Sequence, residues 1–207
     1  MAATQEIYQE IKRLQRAGKK VVVSMGSIAA SGGYYVACAA DTIVANPGTI
    51  TGSIGVVLQL PNMEGLFRKV GVRFEVIKRG KYKDIGSPWR EISEEERRLL
   101  QGIIDDAFEQ FVSVVVRDRG LPRDTVLRLA DGRIFTGKRA KELGLVDVIG
   151  DYQSAINLAA RMAGIKGKPK TVMERRGISL RGLLLRGSVG DLAPLGTPSL
   201  EYRFLPL

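Results

Sequence analysis

Residues 20 to 45 constrain the fold more than any other stretch of the chain. Lys20 to Ser24 reads as a buried strand, and a turn holding Gly26, Gly32 and Gly33 follows it. Tyr34 to Ala40 is small and apolar enough for a tightly packed helix, and Thr42 to Ala45 reads as the next strand. Ser31 sits where the turn enters the helix.

The same alternation continues. Ile7, Ile11 and Leu14 recur at helical spacing after Thr4, a candidate N-cap, and Gly18 supplies a stop, so a surface helix opens the chain. Asn46-Pro-Gly-Thr is a turn, and Thr51-Gly-Ser-Ile-Gly leads into the apolar segment Val56 to Leu60. Gly65 to Val70 reads as a short helix, Val72 to Ile77 alternates as a strand, and Lys78 to Pro88 is a polar loop containing Lys83. Ser93-Glu-Glu-Glu marks a negatively charged helix start, which Leu99, Ile103, Phe108, Phe111 and Val115 continue to about Arg119. A helix start near Pro122, a turn at Asp131-Gly132, a strand at Arg133 to Phe135 and a helix after Thr136 follow. A strand at Leu145 to Val148 and a helix at Tyr152 to Ala163 complete the pattern. Repeated strand and helix units of this length predict an α/β domain over residues 1–165, with 166–207 a basic C-terminal extension.

Composition narrows the chemistry. The chain has no histidine, which removes Ser-His-Asp and Cys-His arrangements and any metal site built on imidazole. A nucleophile here needs another base, and serine with lysine is one such variant. Cys38, the single cysteine, lies in Val36-Ala-Cys-Ala-Ala and is expected to pack rather than react. The net charge of +10 is concentrated late: residues 161 to 190 carry eight Lys/Arg against Glu174. A solvated segment, with a membrane surface as a further option, explains this better than nucleic acid, for which no reading motif is present. No phosphate-cradling Gly-x-x-x-x-Gly-Lys pattern occurs, and no cofactor or metal is expected. No apolar stretch approaches the roughly 20 residues of a membrane span, and Met1 to Glu6 shows no export signal, so a soluble chain is expected.

A serine at a turn-to-helix junction gains outward-pointing amides that favour a developing negative charge. Ser31-Gly32-Gly33 fits: glycine lets a substrate carbonyl approach, and the Gly32 amide is the natural first oxyanion donor. The alternative is that Ala29-Ala-Ser-Gly-Gly only packs a helix against its neighbour.

Met25-Gly-Ser-Ile-Ala-Ala-Ser-Gly-Gly-Tyr-Tyr-Val-Ala-Cys-Ala-Ala-Asp41, Thr51-Gly-Ser-Ile-Gly-Val56, and Gly80-Lys-Tyr-Lys-Asp-Ile85 with Ser87-Pro88 closely resemble the bacterial signal peptide peptidase A family, serine peptidase family S49. Asp131-Gly-Arg-Ile-Phe-Thr-Gly137 and Ala140-Lys-Glu-Leu-Gly-Leu-Val-Asp147 extend the resemblance, which covers roughly residues 5 to 160. It implies a fold shared with the Clp protease and crotonase superfamily, and a Ser/Lys dyad that cleaves remnant signal peptides or other apolar peptides. In those terms Ser31 is the nucleophile and Lys83 the general base. Ser53 orients the lysine, and Lys81 is a solvated loop residue. The resemblance also implies a homo-oligomeric ring in which one protomer's serine meets the next protomer's lysine.

Family members carry an Asn-Ser-Pro-Gly-Gly-like loop with a second oxyanion donor, and usually a membrane anchor, upstream of the opening helix. Both are expected to lie before Met1, the chain being a fragment rather than a short relative of low activity. Two other readings remain: a catalytically impaired or non-catalytic oligomeric scaffold of the same fold, and an acyl-CoA enzyme of the crotonase type.

Overall fold

The computed structural model describes residues 2–172; most of the basic extension lies outside the described residues. These divide into two compact units, one of residues 2–57 and 99–169, the other centred on 58–98.

In the first unit α1 (Ala2–Arg16) ends where Gly18 turns left-handed at φ 79°. The Lys19 amide reaches back to the Leu14 carbonyl at 3.0 Å and the Gly18 amide to that of Gln15 at 2.9 Å, a pairing that satisfies carbonyls a helix end leaves orphaned. The helix already includes Thr4, so this threonine is not its N-cap. Strand β1 (Val22–Met25) is followed at once by β2 (Ile28–Ala30), the short helix α2 (Gly32–Ala37), β3 (Thr42–Ala45) and β4 (Ile50–Gly52). β1 pairs in parallel with β3, Val22 opposite Thr42, and β2 pairs in parallel with β4, Ile28 opposite Ile50. Each pass of the chain therefore lays one strand in each of two sheets. Helix α4 (Glu94–Arg119) continues into this unit and is followed by α5 (Arg123–Leu129), β5 (Ile134–Thr136), α6 (Gly137–Glu142), β6 (Val148–Ile149) and α7 (Tyr152–Met162). β5 closes the second sheet antiparallel to β4, and β6 closes the first parallel to β3. The expected α/β domain of repeated strand–helix units is observed.

The core of this unit is apolar. Tyr8, Tyr35 and Phe111 meet edge to face, with ring centroids 5.5 and 5.2 Å apart. Tyr34 is fully buried, and its hydroxyl donates to the Leu145 carbonyl at 3.0 Å. Arg119 reaches from the end of α4 to Asp147, whose carboxylate also accepts the Ile43 amide at 2.7 Å. Cys38 is fully buried, and burial pushes its thiol up to about 12, so it packs and does not react.

Among the described residues the second unit contains one complete helix, α3 (Glu64–Lys69), and the first turn of α4. Val72 to Ile77 forms no strand here, although it alternates as one. A strand needs a partner for its amides, and among the described residues only the Val72 amide of this segment has a backbone acceptor, the Phe67 carbonyl at 3.0 Å. Its side chains are instead placed by aromatic contact: Phe74 stacks on Trp89 at 4.8 Å and meets Phe67 edge-on. Among the described residues no helix is long and apolar enough to cross a membrane.

Candidate active site

Strands β2 and β4 end side by side, and each is followed by a serine in a backbone conformation that L-residues avoid. Ser31 has φ 52° and Ser53 φ 50°, the two non-glycine residues with positive φ among those described. Such strain costs of order 1–3 kcal/mol and persists only where the surroundings enforce it. The enforcement is visible. Parallel register sets Ala30 opposite Gly52, so the serines leave adjacent strand ends. The Ser31 amide donates to the Gly52 carbonyl at 2.8 Å, and the Ser53 amide donates to the Arg133 carbonyl at 2.8 Å.

The strands themselves are locked by buried hydroxyls. Thr51 donates to the Ala29 carbonyl at 2.7 Å, and Thr49 donates to that of Gly26 at 2.8 Å. Gly52 is required because, at φ 79°, a Cβ there would stand 2.6 Å from the Phe135 ring. Gly137 is required because its Cβ would come within 2.0 Å of the Asn46 carbonyl oxygen. The Asp131 to Gly137 motif is thus the brace for the strand end that carries Ser53. That role went unread in the sequence, where only the motif's order and spacing were visible.

Ser31 is half-buried, and its hydroxyl has no hydrogen-bond partner among the described residues. Its carbonyl accepts the Tyr35 amide at 2.9 Å, which starts α2. Gly32 is the first residue of that helix, so its amide has no intrahelical acceptor. At Gly33 an added Cβ would meet only Ala29, at 3.9 Å. Internal packing therefore does not demand the second glycine, which counts against a purely packing role for the Ser31-Gly32-Gly33 turn.

Lys83 lies in the other unit. It is exposed, its amide donates to the Gly80 carbonyl at 3.2 Å, and its ammonium has no carboxylate partner among the described residues. Lys81 is different: it pairs with Glu95, and that hydrogen bond raises its pKa. Lys81 is exposed on the loop, as expected of a solvated residue, and a lysine held protonated by a carboxylate is a poor base. Asp84, the residue after Lys83, accepts from Lys78 and Arg90, and Arg90 also binds Glu96. Arg90 holds both carboxyls low, Glu96 at about 2 against an ordinary 4.5, with the Ser93 amide assisting at Glu96 and Lys78 at Asp84. Ser93 and Glu96 cap α4 reciprocally, the Ser93 amide donating to the Glu96 carboxylate at 2.9 Å and the Glu96 amide to the Ser93 hydroxyl at 3.2 Å. The fold thus brings Ser31, Gly32 and Ser53 together, and presents Lys83 on a braced loop.

Among the described residues no cluster of carboxylate or thiol groups could hold a metal ion. Solved structures that align with the chain include a probable enoyl-CoA hydratase/isomerase from Mycobacterium abscessus. It is 16% identical, with TM-score 0.42, and covers 79% of this chain and 46% of that one. At that score the likeness decides nothing further.

Sequence relatives are nearer. A Synechocystis protein named as a protease, slr0021, is 53% identical over 162 residues, which is 78% of this chain and 58% of that protein. A signal peptide peptidase SppA assignment in Enterococcus faecium is 40% identical over 152 residues, 73% of this chain and 44% of that protein. The chloroplast serine protease SPPA of Arabidopsis thaliana is 38% identical over 172 residues, 83% of this chain and 25% of that protein. The chain spans about half the length of the first two relatives and a quarter of the third. The profile of peptidase family S49 matches residues 13–166, a span containing Ser31, Ser53 and Lys83. With that match over most of its length, the chain belongs to peptidase family S49.

Proposed function

We propose that the chain is the catalytic part of a serine endopeptidase acting through a Ser/Lys dyad on apolar peptides such as signal peptide remnants. The observation that carries this reading is the pair of strained serines at adjacent strand ends, one with an unbonded hydroxyl beside the free Gly32 amide. Ser31 Oγ attacks the scissile carbonyl carbon while its proton passes to the neutral amine of Lys83. The Gly32 amide donates to the resulting oxyanion, and the C–N bond breaks as Lys83 returns the proton to the leaving amine. Water then hydrolyses the Ser31 ester, again with Lys83 as base. Ser53 donates a hydrogen bond that orients the lysine amine.

A lysine accepts such a proton only when its pKa falls from about 10.4 towards neutrality, which requires cover or a positive neighbour. Lys83 is exposed in the single chain. We therefore place it in a site shared between copies in a ring, one copy's Lys83 serving the next copy's Ser31. A fluorophosphonate probe should label Ser31 in the wild type and fail on Ser31→Ala and Lys83→Ala, and mixing the two variants should restore peptide hydrolysis. No restoration would sink the shared site. Absence of labelling, even with an Asn-Ser-Pro-Gly-Gly-bearing segment placed ahead of α1, would favour the non-catalytic scaffold.

A further inference from the structure

We propose that Arg90 is the positioning residue of the Lys83 loop, holding Asp84 against the capped start of α4 so that the lysine's turn is set before a substrate arrives. The inference rests on the reading of Lys83 as the base. Arg90 Nε and Nη2 donate to the two Asp84 carboxylate oxygens at 3.1 and 3.0 Å, and Nη2 also reaches the Asp84 carbonyl at 3.2 Å. On its other side the same guanidinium donates to the Glu96 oxygens at 2.8 and 2.5 Å. A final bond runs from Nη1 to the Glu91 carbonyl at 3.0 Å. Every nitrogen of the side chain is engaged.

The receiving groups are sheltered. The Asp84 and Glu96 side chains are 9% and 6% exposed, so hydrogen bonds to them are worth more than those of an open surface pair. Asp84 is also the fixed point of its loop. Its carbonyl takes the Ser87 hydroxyl at 2.6 Å and the Ser87 amide at 3.1 Å, and its carboxylate takes Lys78. Lys83 is bonded to this anchored residue through a single peptide unit, so its Cα cannot wander far. Glu96 belongs to α4, a helix of 26 residues. Arg90 therefore ties a six-residue turn, 81–86, to the longest helix among the described residues. A lysine at position 90 has one compact charge and no planar fork, so it cannot hold two carboxylates in this geometry.

The test compares Ser31 phosphonylation rates across pH in wild type, Arg90→Gln, Arg90→Lys and Lys83→Ala, with hydrogen exchange over residues 79–86 measured on the same proteins. A misplaced base costs on the order of tenfold to a hundredfold in rate. Arg90→Gln should show that loss, a displaced midpoint in its pH profile and faster exchange in the turn, and Arg90→Lys should not rescue it. An unmoved pH profile in folded Arg90→Gln, with Lys83→Ala inactive, would sink this proposal alone. Wild-type labelling in Lys83→Ala would sink the base assignment and the proposal together. Should Arg90→Gln not fold, Asp84→Asn, which removes only the lysine side of the clamp, must give the same loss and displacement, and wild-type behaviour there overturns the inference.

Discussion

In residues 2–57 and 99–169 the side chains hidden from solvent are mostly apolar, Tyr34, Ile43, Phe111, Val112 and Val115 among them. In residues 58–98 the single buried residue is Glu96, and the unit is organised by Arg90, two carboxylates and a stack of aromatic rings. The difference follows from what each must hold. A strained serine backbone needs a stiff, close-packed support that does not relax. A loop that presents an exposed lysine, Lys83, is fixed instead by directional bonds, and in the proposed mechanism the cover that lysine needs comes from a neighbouring copy. Apolar packing does not titrate; a charge clamp weakens as acid protonates its carboxylates.

The contrast breaks most visibly at the aromatic residues. Phe111→Ala should lower unfolding stability by about 3–5 kcal/mol, read by denaturant titration. Phe74→Ala, whose ring is 46% exposed, should lower it by well under half as much. Equal losses would mean that the second unit has a core after all. Gly52→Ala comes next. Its Cβ strikes Phe135 and its φ of 79° disfavours any L-residue, so a loss of about 1–3 kcal/mol is expected, with Ser53 displaced and probe labelling reduced alongside.

Acid sharpens the comparison from the other side. The Glu96 carboxyl is lower in the folded state, about 2 against 4.5, and Asp84 is lowered too. Their stabilisation is therefore fully present above the ordinary values and lost as pH falls through the folded ones. Protection factors over residues 80–96, which allow for the slower intrinsic exchange in acid, should fall between pH 4.5 and about 2 while the amides of β1 and β3 stay protected. Simultaneous loss in both would contradict the division of labour. The smallest effect belongs to Ser93→Ala, expected to cost about 1 kcal/mol and to fray the first turn of α4 without altering the first unit's protection.

What the sequence made legible follows these same physical lines. The strand–turn–helix around Ser31 was readable because small and apolar residues come in blocks bounded by glycines. The two three-residue strands β2 and β4 were not, because three residues are too few to display alternation, and the hydroxyl bonds that lock them join residues far apart in the chain. Val72 to Ile77 misled in the opposite sense: period two was present, but nothing supplied the ladder. Ser31, Ser53 and Lys83 were singled out by motif, yet the left-handed backbone of both serines could not be inferred, since serine ordinarily avoids it. Arg90 was invisible, because a charged residue in a polar loop resembles any solvated arginine until its partners are placed around it.

The position of Trp89 has an optical consequence. It is the only tryptophan in the chain, it stacks on Phe74 in the charge-clamped unit, and its indole nitrogen is buried without a partner among the described residues. Red-edge excitation, which indole absorbs and phenol does not, therefore reports on the surroundings of Trp89 within residues 58–98. Loosening of the unit that carries the lysine loop can thus be watched in real time without engineering a chromophore.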